Sequence, residues 1–322
     1  MPSKGKKTFI IFSGGLGNQL FQLSAALFQA HGNPVIYNST FGKPRLGKDN
    51  QVQIECFALP DSIKSDKKRK SHAFFTKVYG YTLRSGFNPN HFESLKFTRS
   101  IIRLASKVAL FIATGKIFKM LVGNDVGYTY FPDTKDDTAL IGYFQSYKWL
   151  NDPNVLRTLK RLKAKDFESR EQFESQAIED QPILLHVRLT DYVLENDFGL
   201  LAIDYYKNAI AQLKAQLDTS HRYHFWIFSD DIPAARNFLD FLDSDQVTWM
   251  PEIEDCPVKT LEVMSMCSHF IISNSTFSWW AASLRKNENA QIIYPDPWFK
   301  SAPTPLALIP EEWVPIKANW RS

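Results

Sequence analysis

Apolar positions along the chain alternate between short continuous runs and stretches of helical spacing. Thr8-Phe9-Ile10-Ile11-Phe12 is a compact run rich in β-formers, which predicts a buried strand. Ser13-Gly14-Gly15-Leu16-Gly17 interrupts it. From Asn18 to Ala30, Leu20, Phe21, Leu23, Ala26 and Leu27 share one side of a predicted helix. Gly32-Asn33-Pro34 stops that helix, and Val35-Ile36-Tyr37 predicts a second strand, completing a βαβ opening. Residues 38–140 carry no regular pattern, except that Ile101 to Val122 has apolar residues at helical spacing with lysines between them. This predicts a core-facing amphipathic helix, with a helix lying in a membrane interface as the alternative.

From Gln181 the pattern becomes regular. Strands are predicted at Ile183 to Val187, Tyr223 to Phe228, Val247 to Met250, His269 to Ile272 and Gln291 to Tyr294. Helices are predicted at Asp204 to Leu217, from Ile232, at Pro257 to Cys267 and at Thr276 to Lys286. Short strands alternating with helices predict an α/β fold of parallel sheets with right-handed crossovers. At 322 residues the chain is long enough for two domains, placed at 1–150 and 151–322, with packing of the last residues back on the first domain as a further expectation.

Composition narrows the class. A hydrophobic fraction of 44% with 22% charged residues excludes disorder and low complexity. Three cysteines, Cys56, Cys256 and Cys267, are too few for a disulfide framework, and no Cys/His spacing suggests zinc. Arg103, Lys107, Lys116 and Lys119 argue against a membrane span in the most apolar stretch. The apolar run after the basic start is too short for a signal peptide, so a cytoplasmic location is expected. The net charge of +4 is uneven. Residues 1–123 hold 19 Lys+Arg and 5 Asp+Glu, a balance of +14, against −10 for the remainder. The run Lys64 to Lys70 is either a solvated loop or an attraction to an anionic membrane surface or a phosphate-bearing acceptor. No nucleic-acid module accompanies it, and no nucleic-acid partner is expected.

In parallel sheets ligands sit beyond the carboxyl ends of strands, and polar clusters follow four of the predicted ones. Gly14-Gly15-Leu16-Gly17-Asn18-Gln19 allows close backbone approach to a phosphate or sugar, or equally tight helix–strand packing. In His186-Val187-Arg188-Leu189-Thr190-Asp191-Tyr192, Arg188 can fork onto a diphosphate and Asp191 can orient it or take a proton. An Arg–Asp pair that only stabilises a loop is the other reading. Ser229-Asp230-Asp231 offers carboxylates to ribose hydroxyls or a base, or an N-cap to the next helix. Ser273-Asn274-Ser275-Thr276-Phe277-Ser278 places hydroxyls and amides at a helix start, an anion site. Together these favour a phosphate-bearing, nucleotide-linked ligand. Asp243-Ser244-Asp245 precedes its strand and reads as a helix end and loop, not a metal site.

The clusters resemble, in this order, those of the family-11 glycosyltransferases, the α-1,2-fucosyltransferases. The resemblance is carried by residues 14–22 (GGLGNQLFQ), 142–146 (GYFQS), 186–192 (HVRLTDY), 228–231 (FSDD) and 261–282 (LEVMSMCSHFIISNSTFSWWAA). It implies a GT-B type α/β fold of two facing Rossmann-like domains, the first on the acceptor side and the second on the GDP-sugar side. It implies inverting transfer of L-fucose from GDP-β-L-fucose to the 2-hydroxyl of a terminal galactose-like sugar, with no cofactor and no metal. Arg188 and Asp191 are the expected catalytic residues. Gly15, Gly17, Asn18, His186, Arg188, Asp231, Ser275, Thr276, Phe277 and Ser278 are the expected binding residues: Arg188 on the β-phosphate, the 275–278 helix start on the diphosphate, Asp231 with His186 on guanine or ribose, and Asn18 with its glycine loop towards the sugar. Asp191, Glu195 and Asp197 are the candidate bases. The acceptor is expected to be an oligosaccharide or a lipid-linked glycan, and the basic half suits peripheral contact with the inner face of an anionic membrane. The family pattern His-x-Arg-Arg-Gly-Asp-Tyr is altered here by Leu189 and Thr190. Transfer from another GDP-deoxyhexose and non-catalytic binding of a nucleotide sugar are therefore the alternatives.

Overall fold

The computed structural model describes residues 6–38, 53–65, 104, 108, 119–123, 126–131, 133, 136–190, 198–217 and 224–321. The chain divides into two units: Met1–Lys163 with Leu306–Leu308, and Ala164–Pro305 with Ile309–Ser322. The division falls after Lys163 instead of after residue 150. The reason is local: the helix over Pro153–Lys160 packs on the first helix of the first unit, and the Ala58 amide donates to the Lys163 carbonyl at 2.8 Å.

The first unit is built on five parallel strands, β1 (Thr8–Ile11), β2 (Val35–Asn38), β3 (Ile63–Ser65), β4 (Lys119–Val122) and β5 (Thr138–Ile141). Their order is β3-β2-β1-β5-β4, so β1 is central, with Thr8 opposite both Val35 and Thr138. A central parallel strand is covered on both faces, which is why its sequence is a continuous apolar run and all four residues are buried. Helix α1 (Leu16–Ala30) crosses from β1 to β2 and ends where His31 turns left-handed, its amide donating to the Phe28 carbonyl. Helix α2 (Pro153–Lys160) starts at Asp152, whose carboxylate accepts from the amides of Asn154 and Val155. Gly123, just past β4, is required by contact: a Cβ there would lie 2.1 Å from the buried Phe144 ring.

Residues Lys119–Val122 form β4, not the end of a helix running from Ile101. Four residues of apolar pattern fit either period, and parallel pairing with β5 decides the outcome. Leu104 and Val108 are helical but exposed, 66% and 49%, so at these two positions the helix is not core-facing. The rest of 101–118, and Asp66 to Lys70 of the basic run, lie outside the described residues.

The second unit runs α3 (Arg170–Asp180), β6 (Ile183–Val187), α4 (Ile203–Gln216), β7 (Phe225–Ser229), α5 (Ile232–Phe238), β8 (Val247–Met250), α6 (Pro257–Met264), β9 (His269–Ile271), α7 (Thr276–Ser283), β10 (Ile292–Asp296) and β11 (Val314–Lys317). The order β11-β10-β9-β6-β7-β8 is doubly wound and wholly parallel. The chain starts at the centre with β6, runs to one edge through β7 and β8, then returns beside β6 with β9. The winding direction therefore reverses between β6 and β9, where ligands of such sheets sit. Leu185, Val187, Tyr205, Tyr206, Leu213, Phe225, Ile227 and Ile271 share one core cluster. Pro315 is tolerated because β11 is an edge strand. Among the described residues no helix is long and apolar enough to cross a membrane.

Candidate functional site

In the first unit the loop after β1 is fixed by amide side chains. Gly14 has φ +74°, and a Cβ there would lie 2.6 Å from Asn18 Nδ2, so this position needs glycine on both counts. Gly15 is the exposed N-cap of α1 with open space around it, and Gly17 is buried in the first turn of α1. Gln22 is fully buried. Its Oε1 accepts from the Ser13 amide (3.0 Å), and its Nε2 donates to Ser13 Oγ (2.7 Å) and to the Gly142 carbonyl (3.0 Å). Gln145 Nε2 donates to Asn18 Oδ1 at 2.8 Å. Gln19 Nε2 donates to the Gly14 carbonyl while its Oε1 accepts from the Ile54 amide. Because β1 and β5 are neighbours, their loops meet, and the 14–22 and 142–146 motifs become one rigid surface.

In the second unit the ends of β6, β7 and β9 converge. His186, 4% exposed, lies 2.8 Å through Nδ1 from Ser273 Oγ, spanning the point where the sheet reverses. The Tyr205 hydroxyl donates to the Ile272 carbonyl (2.6 Å) and Tyr206 to the His186 carbonyl (3.3 Å), so α4 holds both strand ends from below. Burial lowers the His186 pKa to about 3; Arg188 pushes the same way and Asp230 opposes. The ring is therefore neutral near pH 7 and serves as a fixed polar support.

Arg188 follows β6, and its Nε lies 3.3 Å from Asp230 Oδ2. A guanidinium is a planar fork of five N–H donors, suited to a phosphate. Asp230 also accepts from the amides of Leu189 (2.8 Å) and Thr190 (3.0 Å) and from the Thr190 hydroxyl. Burial raises the Asp230 pKa, but the Thr190 hydroxyl, Arg188 and the two amides outweigh it and hold the carboxyl below its usual range.

The predicted residues separate by position. Asp231 caps α5, accepting from the Ala234 amide at 3.0 Å. Ser275 caps α7 through the Phe277 amide. Ser278 is buried and turns its hydroxyl back to the carbonyls of Ser273 and Ser275. Thr276 and Phe277 are half-buried at the start of α7, the Phe277 ring centre 6.3 Å from that of His186. Asn274 Nδ2 donates to the carbonyls of Phe198 and Gly199, anchoring that stretch of chain to the start of α7. Arg188, His186, Ser275, Thr276 and Phe277 therefore border one strand-end region of the second unit. Gly15, Gly17 and Asn18 belong to the first unit. Asp191, Glu195 and Asp197 lie outside the described residues. Asp243-Ser244-Asp245 leads into a single 3-10 turn before β8, as its position in the sequence predicts.

Sequence reasoning did not single out Asp230, Ser273, Tyr205, Tyr206, Gln22 or Gln145. Asp230 was in view, but which of two adjacent carboxylates caps the helix depends on where α5 begins. The tyrosines read as core, which they also are. Among the described residues no group of three or more His, Cys, Asp or Glu side chains converges in a metal-ligating set.

Two parallel-sheet units with clusters at the strand ends agree with what known proteins show. Over 312 residues the chain is 25% identical to an O-antigen biosynthesis glycosyltransferase, WbnK, from Escherichia coli, covering 89% of this chain and 93% of that protein. Over 317 residues it is 24% identical to an alpha-1,2-colitosyltransferase, also from Escherichia coli, covering 95% and 97%. Its fold matches that of fucosyltransferase NodZ from Bradyrhizobium at a TM-score of 0.52, with 16% identity over 94% of this chain and 97% of that one. The expected GT-B type α/β fold is thus the observed one. The family model described as glycosyl transferase family 11 matches residues 121–316, more than half of the 322 and containing β6 to β10 in full. The chain belongs to glycosyl transferase family 11 and is a glycosyltransferase.

Proposed function

We propose that the chain transfers L-fucose from GDP-β-L-fucose, with inversion, to the 2-hydroxyl of a terminal galactose-like sugar. The observation that carries this reading is Arg188, held by Asp230 at the end of β6 beside the reversal of the sheet. Glycosyl transfer passes through an oxocarbenium-like state as the bond to the diphosphate breaks. A cation positioned at the β-phosphate stabilises the departing charge, and in this reading Arg188 supplies it without a metal. The start of α7, with Thr276 and Phe277 beside His186, receives the rest of the diphosphate and its nucleoside. His186, neutral and bonded to Ser273, shapes that surface and is not the base. Asp191 is retained as the companion of Arg188, with Asp191, Glu195 and Asp197 as candidate bases. Asn18 and the Gly15–Gly17 loop of the first unit are assigned to the sugar.

A second reading is transfer of a different GDP-deoxyhexose. Leu189 is buried where the family pattern has a second arginine, and one relative is named for colitose instead of fucose. The acceptor is proposed to be a glycan of surface-polysaccharide type, oligosaccharide or lipid-linked. The relative named for O-antigen biosynthesis supports this, and the +14 balance of residues 1–123 supports peripheral contact with an anionic membrane from the cytoplasm.

The test is donor turnover and donor competition with GDP-fucose, other GDP-deoxyhexoses and UDP-sugars, comparing wild type with Arg188→Ala, with and without EDTA. Transfer from GDP-fucose that persists in EDTA and disappears in Arg188→Ala, with an unchanged melting temperature, is expected. Preference for another GDP-sugar selects the second reading. Near-normal turnover by Arg188→Ala sinks the assignment of that residue.

A further inference from the structure

We infer that Asp230 is a positioning residue: its single carboxylate fixes Arg188 and the two residues after it in the geometry that receives the diphosphate, and it does not itself contact the nucleotide. This rests on the reading of Arg188 as the diphosphate ligand. It goes further by assigning a role to the first carboxylate of the Ser229-Asp230-Asp231 turn, which by residue type alone is a candidate for the ribose.

Register explains the placement. Val187 pairs with Ser229, so the chain leaves β6 at Arg188 directly beside the point where it leaves β7 at Asp230. From there the carboxylate reaches three consecutive residues: Nε of Arg188, the amide of Leu189, and both the amide and hydroxyl of Thr190. An ionised carboxylate offers about four acceptor directions. Three hydrogen bonds and one ion pair commit most of that capacity to the chain itself, with three of the four contacts on Oδ2 and one, from the Leu189 amide, on Oδ1. The Asp230 side chain is also only 18% exposed. Its neighbour Asp231 is engaged as the cap of α5. The carboxylate pair is thus spent on scaffold, one member per strand end. Thr190 closes the arrangement: its hydroxyl gives the carboxylate a second grip on the same residue. Leu189, the middle of the three gripped residues, has its side chain buried in the core cluster and pins the turn from the other side.

A positioning role predicts coupling that a ligand contact or a purely structural residue does not. GDP and GMP affinities are measured by calorimetry for wild type, Asp230→Asn, Arg188→Ala and the double variant, with Thr190→Val as a milder perturbation that keeps the charge. GMP lacks the β-phosphate and reports the nucleoside end. Expected are a roughly 10-fold loss of GDP affinity in Asp230→Asn, a smaller loss in Thr190→Val, and GMP affinity within about twofold of wild type. In the Arg188→Ala background, Asp230→Asn should cost less than about twofold, because there is no guanidinium left to position. Equal losses in both backgrounds, or a parallel loss of GMP affinity, would overturn the inference and make Asp230 a nucleoside contact or a general structural residue. No loss of GDP affinity in either substituted protein overturns it as well. Failure of wild type to bind GDP defeats the underlying reading instead, and is separable because it appears before any variant is compared.

Discussion

Gln22 and Gln29 provide a matched test of how the glycine loop is held. They lie seven residues apart on α1, are both buried, and differ in their partners. Gln22 makes three hydrogen bonds, to the Ser13 amide, Ser13 Oγ and the Gly142 carbonyl. Among the described residues the side-chain amide of Gln29 has none. Methionine matches glutamine in length without its polar atoms. In Gln22→Met the Ser13 amide and the Gly142 carbonyl stay buried without their partner. Each such group costs about 1–3 kcal/mol, which gives a loss of about 2–6 kcal/mol. For a unit of this size about 2–4 °C follows each kcal/mol, so the melting temperature should fall by about 4–24 °C. In Gln29→Met two unpartnered polar atoms leave the core, and stability should hold or rise by about 1 kcal/mol. The Lys6 contact to Gln29 is to its main-chain carbonyl and survives the change. Differential scanning calorimetry of the intact chain reads both. Equal shifts for the two substitutions would refute the argument that partnering, not burial of an amide as such, sets the contribution.

Two further outcomes follow from the site. The His186 pKa falls to about 3 from an ordinary 6.5, so between these values the unfolded chain binds a proton that the native chain does not. Stability should therefore decline as pH drops below about 6.5, by up to about 1.4 kcal/mol per unit, and flatten near the folded value. His186→Asn should remove that component from urea titrations at pH 4 to 7; an unchanged slope would mean the ring is protonated in the native protein. In the first unit, Gly14→Ala should destabilise by about 1–2 kcal/mol from its positive φ alone, with more from contact with Asn18, and should weaken transfer. Gly15→Ala, at φ −71° in open space, should be tolerated in thermal denaturation. Equal costs at the two glycines would show that the loop is not held as described.

The regular half of the molecule was legible, apart from the edge strand Val314–Lys317, because most of its elements are specified locally. Val247 to Met250 is predicted and observed over the same residues, and the strands at Ile183 and His269 and the helix at Thr276 start where their patterns start. The elements that escaped are specified by distant partners. Ile63–Ser65 is a strand because it lies beside β2, and Lys119–Val122 because it lies beside β5. Arg170–Asp180 escaped for the opposite reason: only Ala177 is buried, and no apolar stripe marks it. Its attachment joins polar contacts, Arg170 to Glu262 and Asp180 to the Trp226 indole, to the edge-on packing of Phe173 against Trp226.

The same distinction divides the site. Residue type marked Arg188 and His186, a cation and an imidazole at a strand end, although a loop-stabilising Arg–Asp pair and a structural histidine are the competing readings. It could not assign Asp230 and Asp231, where adjacent identical side chains take different work. That assignment follows from two facts no local pattern carries: α5 begins at Ile232, which makes Asp231 its cap, and β7 lies beside β6, which turns Asp230 toward Arg188. A Ser273 hydroxyl bonded to a histidine 87 residues away is legible only once β9 is known to return beside β6. What the strand order contributes to this enzyme is therefore a set of cross-strand pairs at one end of one sheet, and the chemistry proposed for Arg188 depends on them as much as on the arginine itself.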